Sequence, residues 1–240
     1  MNRFILLFYL ILFFSTTSYS QSEWWVGGAG SYSSYKNTGP INPIYFRGET
    51  DAIQFHANQW NIGLSAERKI TKNLFVQSGV QWTYFSLVAR TWDQSSSGSS
   101  PNFFILAANN AQEVVYEATN QFYISRNYIT IPAFLRFSMY QARHFGLYLK
   151  GGVNTSFAVS ASKASIENRD ITIQDDLKSN YFRNSNTYVE GNTLFGISFG
   201  NPKKSMSHFE GGLTIPITSH AGTNKLGVGY KLSYIFLIHL

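Results

Sequence analysis

Ser207, His208 and Glu210 place a hydroxyl, an imidazole and a carboxylate within four residues, the ingredients of nucleophilic hydrolysis. His208 and Glu210 share a face at i, i+2 with Ser207 beside them, but no Gly-x-Ser-x-Gly sequence supports the trio. His208 is therefore read as an interior hydrogen-bonding residue. His56, His144, His220 and His239 are dispersed, without paired metal-ligand spacing. Asp175 and Asp176 are adjacent and could touch calcium, though a solvated loop acid is the simpler reading. The chain has no cysteine, which excludes thiolate chemistry, disulfides and lipoprotein attachment. No phosphate-cradling glycine loop or dinucleotide fingerprint is present. The expectation is a chain with no catalytic residues, no cofactor and no metal, and not an enzyme. Five further charges remain: Glu67, Arg136, Lys150, Glu210 and Lys231. What they can do depends on the elements that hold them.

Those elements repeat with period two. Trp60, Ile62, Leu64 and Ala66 form one face, with Asn61, Gly63, Ser65 and Glu67 between them. After Thr71-Lys72-Asn73 the pattern resumes as Leu74, Val76, Val80, Trp82 and Tyr84, opposite Gln77, Gly79, Gln81 and Thr83. Tyr128 to Tyr140 and Phe145 to Val159 make a second such hairpin, and Leu226 to Leu240 is the strongest alternation of all. The opening segment, Trp24 to Tyr32, is glycine-rich, which lets a tightly curved wall bend. The spacing predicts eight strands, over 22–34, 57–70, 74–90, 121–140, 144–162, 188–200, 205–218 and 224–240. Pro132 interrupts one of them and predicts a local bulge, because it cannot donate a ladder hydrogen bond.

The segments are long enough to cross a bilayer, and their connections alternate. Those at 71–73, 141–143 and 201–204 are short; those at 35–56, 91–120 and 163–187 are long and polar. The last, Ser219 to Asn224, is short although it falls on the long side. A soluble sandwich or lipocalin-like barrel would alternate too, with its apolar face inward. Two features favour lipid on the apolar face. The polar faces carry Gly, Ser, Thr, Asn and Gln rather than the Lys and Glu of a water-facing surface. Aromatics such as Trp60, Trp82, Tyr84, Tyr140 and Phe145 sit at strand ends, as interfacial girdles require. Composition agrees: 17% aromatic against 13% charged residues.

The N-terminus reads as an export signal over 1–20. Arg3 precedes the apolar run Phe4 to Phe14, and Ser15 to Ser20 is a small, polar cleavage region. Eleven apolar residues are too few for a spanning helix, which needs about 20. Cleavage before Gln21 leaves one domain, 21–240, with 18 basic and 13 acidic residues after removal of Arg3, a net charge of +5. The positive residues form no run, so nucleic acid is not an expected partner. The expected architecture is all-β: an eight-stranded antiparallel transmembrane β-barrel with long extracellular loops and short periplasmic turns, in the outer membrane of a Gram-negative-type envelope. Its lipids are the first expected partner.

The 128–160 hairpin resembles the PorT-like outer-membrane β-barrel family. The matching residues are Tyr128-Ile129-Thr130-Ile131-Pro132, then Leu135-Arg136-Phe137, then Leu147-Tyr148-Leu149-Lys150-Gly151-Gly152-Val153. The resemblance implies a signal-plus-barrel layout over nearly the whole mature chain and, through some relatives, an association with secretion across the outer membrane. It implies no catalytic residues.

In such a barrel Glu67, Arg136, Lys150, Glu210 and Lys231 face the lumen. Eight strands enclose a space just wide enough to be filled by side chains, so these charges are read as a salt-bridged plug rather than a gate or proton path. The expected role is non-enzymatic: a structural or partner-binding component whose links at 35–56, 91–120 and 163–187 meet other envelope proteins. The alternatives are a small enzyme acting on lipid or peptide at one mouth, or a narrow pore.

Overall fold

The computed structural model describes residues 23–37, 53–91, 103–109, 113–119, 121–161, 163–166, 169–171, 186–218 and 226–240. The expected export signal and most of the 35–56 link lie outside them. Eight strands form the wall: β1 (Trp24–Asn37), β2 (Ile53–Lys69), β3 (Leu74–Thr91), β4 (Gln121–Gln141), β5 (Phe145–Ala158), β6 (Thr187–Asn201), β7 (Ser205–Pro216) and β8 (Leu226–His239). Each pairs antiparallel with its sequence neighbours, and β1 pairs with β8 from Trp25↔His239 to Asn37↔Leu226. The last pairing closes the sheet, so the wall has no free edge.

Side chains of successive residues point to opposite faces of a strand, and here the two faces differ in chemistry and exposure. Ile62, Leu64, Leu135, Leu213, Tyr230 and Leu232 point outward and are between 46% and 72% exposed. Their neighbours Asn61, Ser65, Arg136, Thr214 and Lys231 point inward and are 4% exposed or less. An apolar belt outside and polar side chains inside make this an outer-membrane-type β-barrel. Trp60 lies nine residues from Lys69, or roughly 23 Å above the short-turn end for a strand tilted by about 40°. That spacing puts Trp60 and Tyr84 at one boundary of the belt and Tyr140 and Phe145 at the other.

The small radius of the wall leaves its mark on the inward glycines. A Cβ on Gly27 would lie 1.7 Å from the Phe236 carbonyl oxygen of the next strand, so only glycine fits there. The short turns are individually fastened. Gly200 takes φ +122°, and Asn201 Oδ1 accepts the Lys203 amide at 3.0 Å. Leu74 N donates to Thr71 Oγ1 at 3.2 Å.

Two expectations need correction. Pro132 causes no bulge. The β4–β5 register runs through Pro132↔Asn154 unbroken, and β3–β4 pairs Ser78↔Ala133 and Gln81↔Thr130 in one register. An inserted residue would turn every side chain beyond it to the other face, yet Arg136 below and Thr130 above must both point inward. The ladder instead skips the pairs between, and Ser78 Oγ donates to the Pro132 carbonyl at 2.8 Å. Irregularities fall nearer the strand ends, at Ser138/Tyr140 and Tyr35/Asn37. The second correction concerns the links. The 91–120 link contains a ladder of Phe103–Asn109 with Glu113–Thr119, and Lys163–Ile166 pairs with both β4 and Arg169–Ile171. Backbone pairing continues past the belt, where no lipid enforces an apolar face and the period-two signal fades.

Candidate functional site: a charge-paired lumen

Inward residues of all eight strands meet in layers. The layer nearest the short turns is apolar: Trp25, Ala29, Phe75, Met206, Ile235 and Leu237 pack together. Trp25 closes it, donating its indole Nε1–H to the Pro202 carbonyl in the β6–β7 turn at 2.8 Å.

Level with it, Glu67 opposite Trp25 and Arg136 opposite Phe75, lies the first ion pair. Arg136 Nε and Nη2 donate to Glu67 Oε2 and Oε1 at 2.9 and 2.6 Å, a two-nitrogen fork that matches the carboxylate. The same guanidinium stacks over the Phe75 ring, 3.7 Å from its centroid. Glu210 receives the second pair. Lys150 Nζ donates to both its oxygens at 2.6 Å, Tyr148 Oη donates to Oε1 at 2.9 Å, and Ser233 Oγ donates to Oε2 at 2.5 Å. Tyr148 needs room for its ring, and Gly196 provides it: a Cβ there would fall 2.2 Å from Tyr148 Cζ. Higher still, Lys231 Nζ meets Glu190 Oε1 at 3.2 Å, and Glu190 also accepts from Tyr35 Oη and Asn154 Nδ2 at 2.6 Å each. Tyr188 Oη, Gln59, Asn61, Thr83 and Ser31 continue as a chain of neutral hydrogen bonds.

Three acids and three bases are thus paired, and each of the six is 5% exposed or less. Unpaired, such charges are costly to bury; paired and further hydrogen-bonded, they are tolerated. The interior void beside Gln77, Gln81, Lys150, Asn154, Glu210 and Lys231 is about 20 Å³, room for one water molecule rather than a water column. A larger hollow of about 930 Å³ lies on the belt side of the wall, bordered by Gly30, Gly211, Trp60, Trp82, Phe209 and Tyr234. Most of its lining is the outward belt, with Ser31, Asn61, Glu210 and Ser233 of the inward face beside it.

All five charges read from the sequence face this interior, and four of them form two pairs with one another. Lys231 does not; its partner is Glu190, which the sequence reading passed over. The signal was there: Glu190 precedes Asn192 by two on the small, polar face of β6. Leu194, buried on that face, blurred its alternation. Tyr148 and Tyr35 were missed because an aromatic residue suggests the belt. His208 is buried, with Nδ1 3.1 Å from Tyr148 Oη. Because Tyr148 spends its single proton on Glu210, His208 must donate through Nδ1, and its Nε2 has no partner among the described residues. Ser207 lies on the outer face with its Oγ 3.2 Å from Tyr234 Oη. The wall therefore separates Ser207 from His208 and Glu210, and the trio cannot act together. Among the described residues no group of three His, Asp or Glu side chains is placed to hold a metal ion.

No protein-family model matches the chain, and no curated protein matches it. Among solved structures it resembles Neisserial surface protein A, at 10% identity with a TM-score of 0.43, over 91% of this chain and 99% of the other. It also resembles the outer membrane protein OprG from Pseudomonas aeruginosa, at 9% identity and TM-score 0.40, over 91% and 93%. A third is the outer membrane protease OmpT from Escherichia coli, at 10% and 0.32, over 91% and 94%. These are likenesses of architecture, and the barrel assignment rests on the strand pairing of the chain itself.

Proposed function

We propose that this chain is a non-enzymatic, non-conducting outer-membrane barrel that serves as a structural or partner-binding component of an envelope assembly. The observation that carries the reading is the lumen: among the described residues, three buried ion pairs and a void of about 20 Å³ leave neither a path for solute nor an open cleft for substrate. What remains for recognition is the outer surface. The links at 35–56, 91–120 and 163–187 offer the longest stretches for meeting other envelope proteins, and the PorT-like resemblance of the 128–160 hairpin suggests an assembly concerned with secretion. An enzyme of lipid or peptide at one mouth finds no support in the separation of Ser207 from His208.

The test is to solubilise native outer membrane in mild detergent and isolate the tagged protein with its companions. Stoichiometric co-purification of an envelope protein, lost when the 91–120 or 163–187 link is shortened, is the expected result. Recovery as a lone barrel under crosslinking would overturn the partner reading. Recovery of the protein in the soluble periplasm would overturn the membrane reading as well.

A further inference from the structure

The charge of the barrel is not evenly distributed. The six charges of the three interior ion pairs cancel. At the short-turn end stand Arg68, Lys69, Lys72, Arg143, Lys203 and Lys204, with Glu23 as the one acid there among the described residues. Among the described residues that end carries a net +5. Lys69 is paired with Glu23 at 2.8 Å, and Arg68 lies over the Trp24 ring, 5.3 Å from its centroid. Lys72, Arg143, Lys203 and Lys204 are exposed and make no ion pair among the described residues.

These four come from all three short turns, β2–β3, β4–β5 and β6–β7, and so are distributed around the barrel rather than gathered on one side. Each is also close to the edge of the apolar belt. Lys72 is two residues from Leu74, Arg143 two from Phe145, and Lys204 five from Phe209. Long cationic side chains at such a boundary lay their stems along apolar surface and present the charge at headgroup level. The anions found at that depth, on all sides of a barrel, are lipid phosphates. A protein partner would instead call for charge concentrated on one side or across the mouth, and the mouth is stopped by Trp25 and Pro202.

We propose that this basic ring binds the phosphate headgroups of anionic phospholipids in the leaflet that meets the short-turn end. The proposal rests on the outer-membrane reading and adds a lipid preference that the reading does not contain. Near an anionic surface each lysine or arginine contributes a factor of about five in affinity, so four exposed cations around one barrel make a measurable selectivity.

The experiment uses the mature protein in phosphatidylcholine vesicles doped with spin-labelled phosphatidylglycerol or spin-labelled phosphatidylcholine. The motionally restricted fraction beside the protein should be several-fold richer in phosphatidylglycerol. The preference should vanish near 1 M salt, where the screening length is about 3 Å. It should also vanish in a variant combining Lys72→Gln, Arg143→Gln, Lys203→Gln and Lys204→Gln, which alters exposed side chains only and should keep the heat-resistant folded band on gels. Equal restriction of the two lipids by an inserted barrel would overturn the proposal and leave the membrane reading intact. Failure to insert would overturn the membrane reading itself. If selectivity is absent but the variant loses an acidic envelope protein in pull-down, the ring is a protein interface and the proposal falls.

Discussion

Replacing Arg136 with methionine removes one partner of an ion pair whose side chains are 3% and 1% exposed. Glu67 would then lose the two hydrogen bonds that its oxygens now accept from Arg136. Breaking a buried pair in this way costs about 3–5 kcal/mol. The lost stacking of Arg136 on Phe75 adds about 0.5–2 kcal/mol, and methionine returns part of that through its own contact with the ring. The expected net loss is therefore near the 3–5 kcal/mol of the orphaned carboxylate. It can be read as a lower urea midpoint for unfolding from lipid vesicles and a lower temperature for conversion of the fast-migrating band on gels. Geometry makes the rescue specific. Adding Glu67→Gln should recover much of the loss, because the stranded charge disappears. Adding Glu210→Gln should deepen it, because that carboxylate belongs to Lys150. Equal rescue by both, or no loss from Arg136→Met alone, would refute the pairing.

Further outcomes follow from the same wall. Single cysteines at Leu213 and Ile215 should react with a lipid-phase label while one at Thr214, fully buried in the lumen, should not; equal labelling of the three would undo the assignment of faces. Leu232→Arg puts a charge on the lipid side of β8, where Leu232 is 63% exposed, and should cost about 2–4 kcal/mol if near the bilayer midplane, measured by urea titration. Adjacent glycines of β1 should differ sharply. Gly27→Ala has its Cβ 1.7 Å from a backbone oxygen and should abolish the folded band, whereas a Cβ on Gly28 meets nothing within 4 Å and Gly28→Ala should fold normally.

Much of this architecture could be read from the chain because lipid imposes a simple rule. Between Trp60 and Ala66, or Leu213 and Ile217, every second residue is apolar, and the eye needs no more than that. The turns at 71–73, 141–143 and 201–204 were legible for the complementary reason, that the pattern breaks for a few residues and then resumes. Where the rule lapses, so did the reading. Beyond the belt, Phe103–Asn109 and Glu113–Thr119 pair through their backbones, which leaves no trace in hydropathy. In the lumen, facing direction was legible but partnership was not. Which acid meets Arg136 depends on stagger around the closed wall, and periodicity along one strand holds no information about it. Glu190 and Tyr148 show the second limit: an interior that must be filled accepts large side chains, so size and polarity there do not follow the face pattern. At Pro132 the chemistry of one residue suggested a bulge, but the need to keep Arg136 and Thr130 on the same face prevailed.

The most direct test of a sealed barrel is the conductance of the purified, folded protein in planar bilayers. With three buried ion pairs and a void of about 20 Å³, the wild-type protein should insert, as shown by protease protection of its strands, and give no steady single-channel steps in about 1 M salt. Regular, reproducible steps from the wild-type protein, of a size set by salt concentration, would mean that ions pass the Glu67–Arg136 and Lys150–Glu210 layers and would contradict the account.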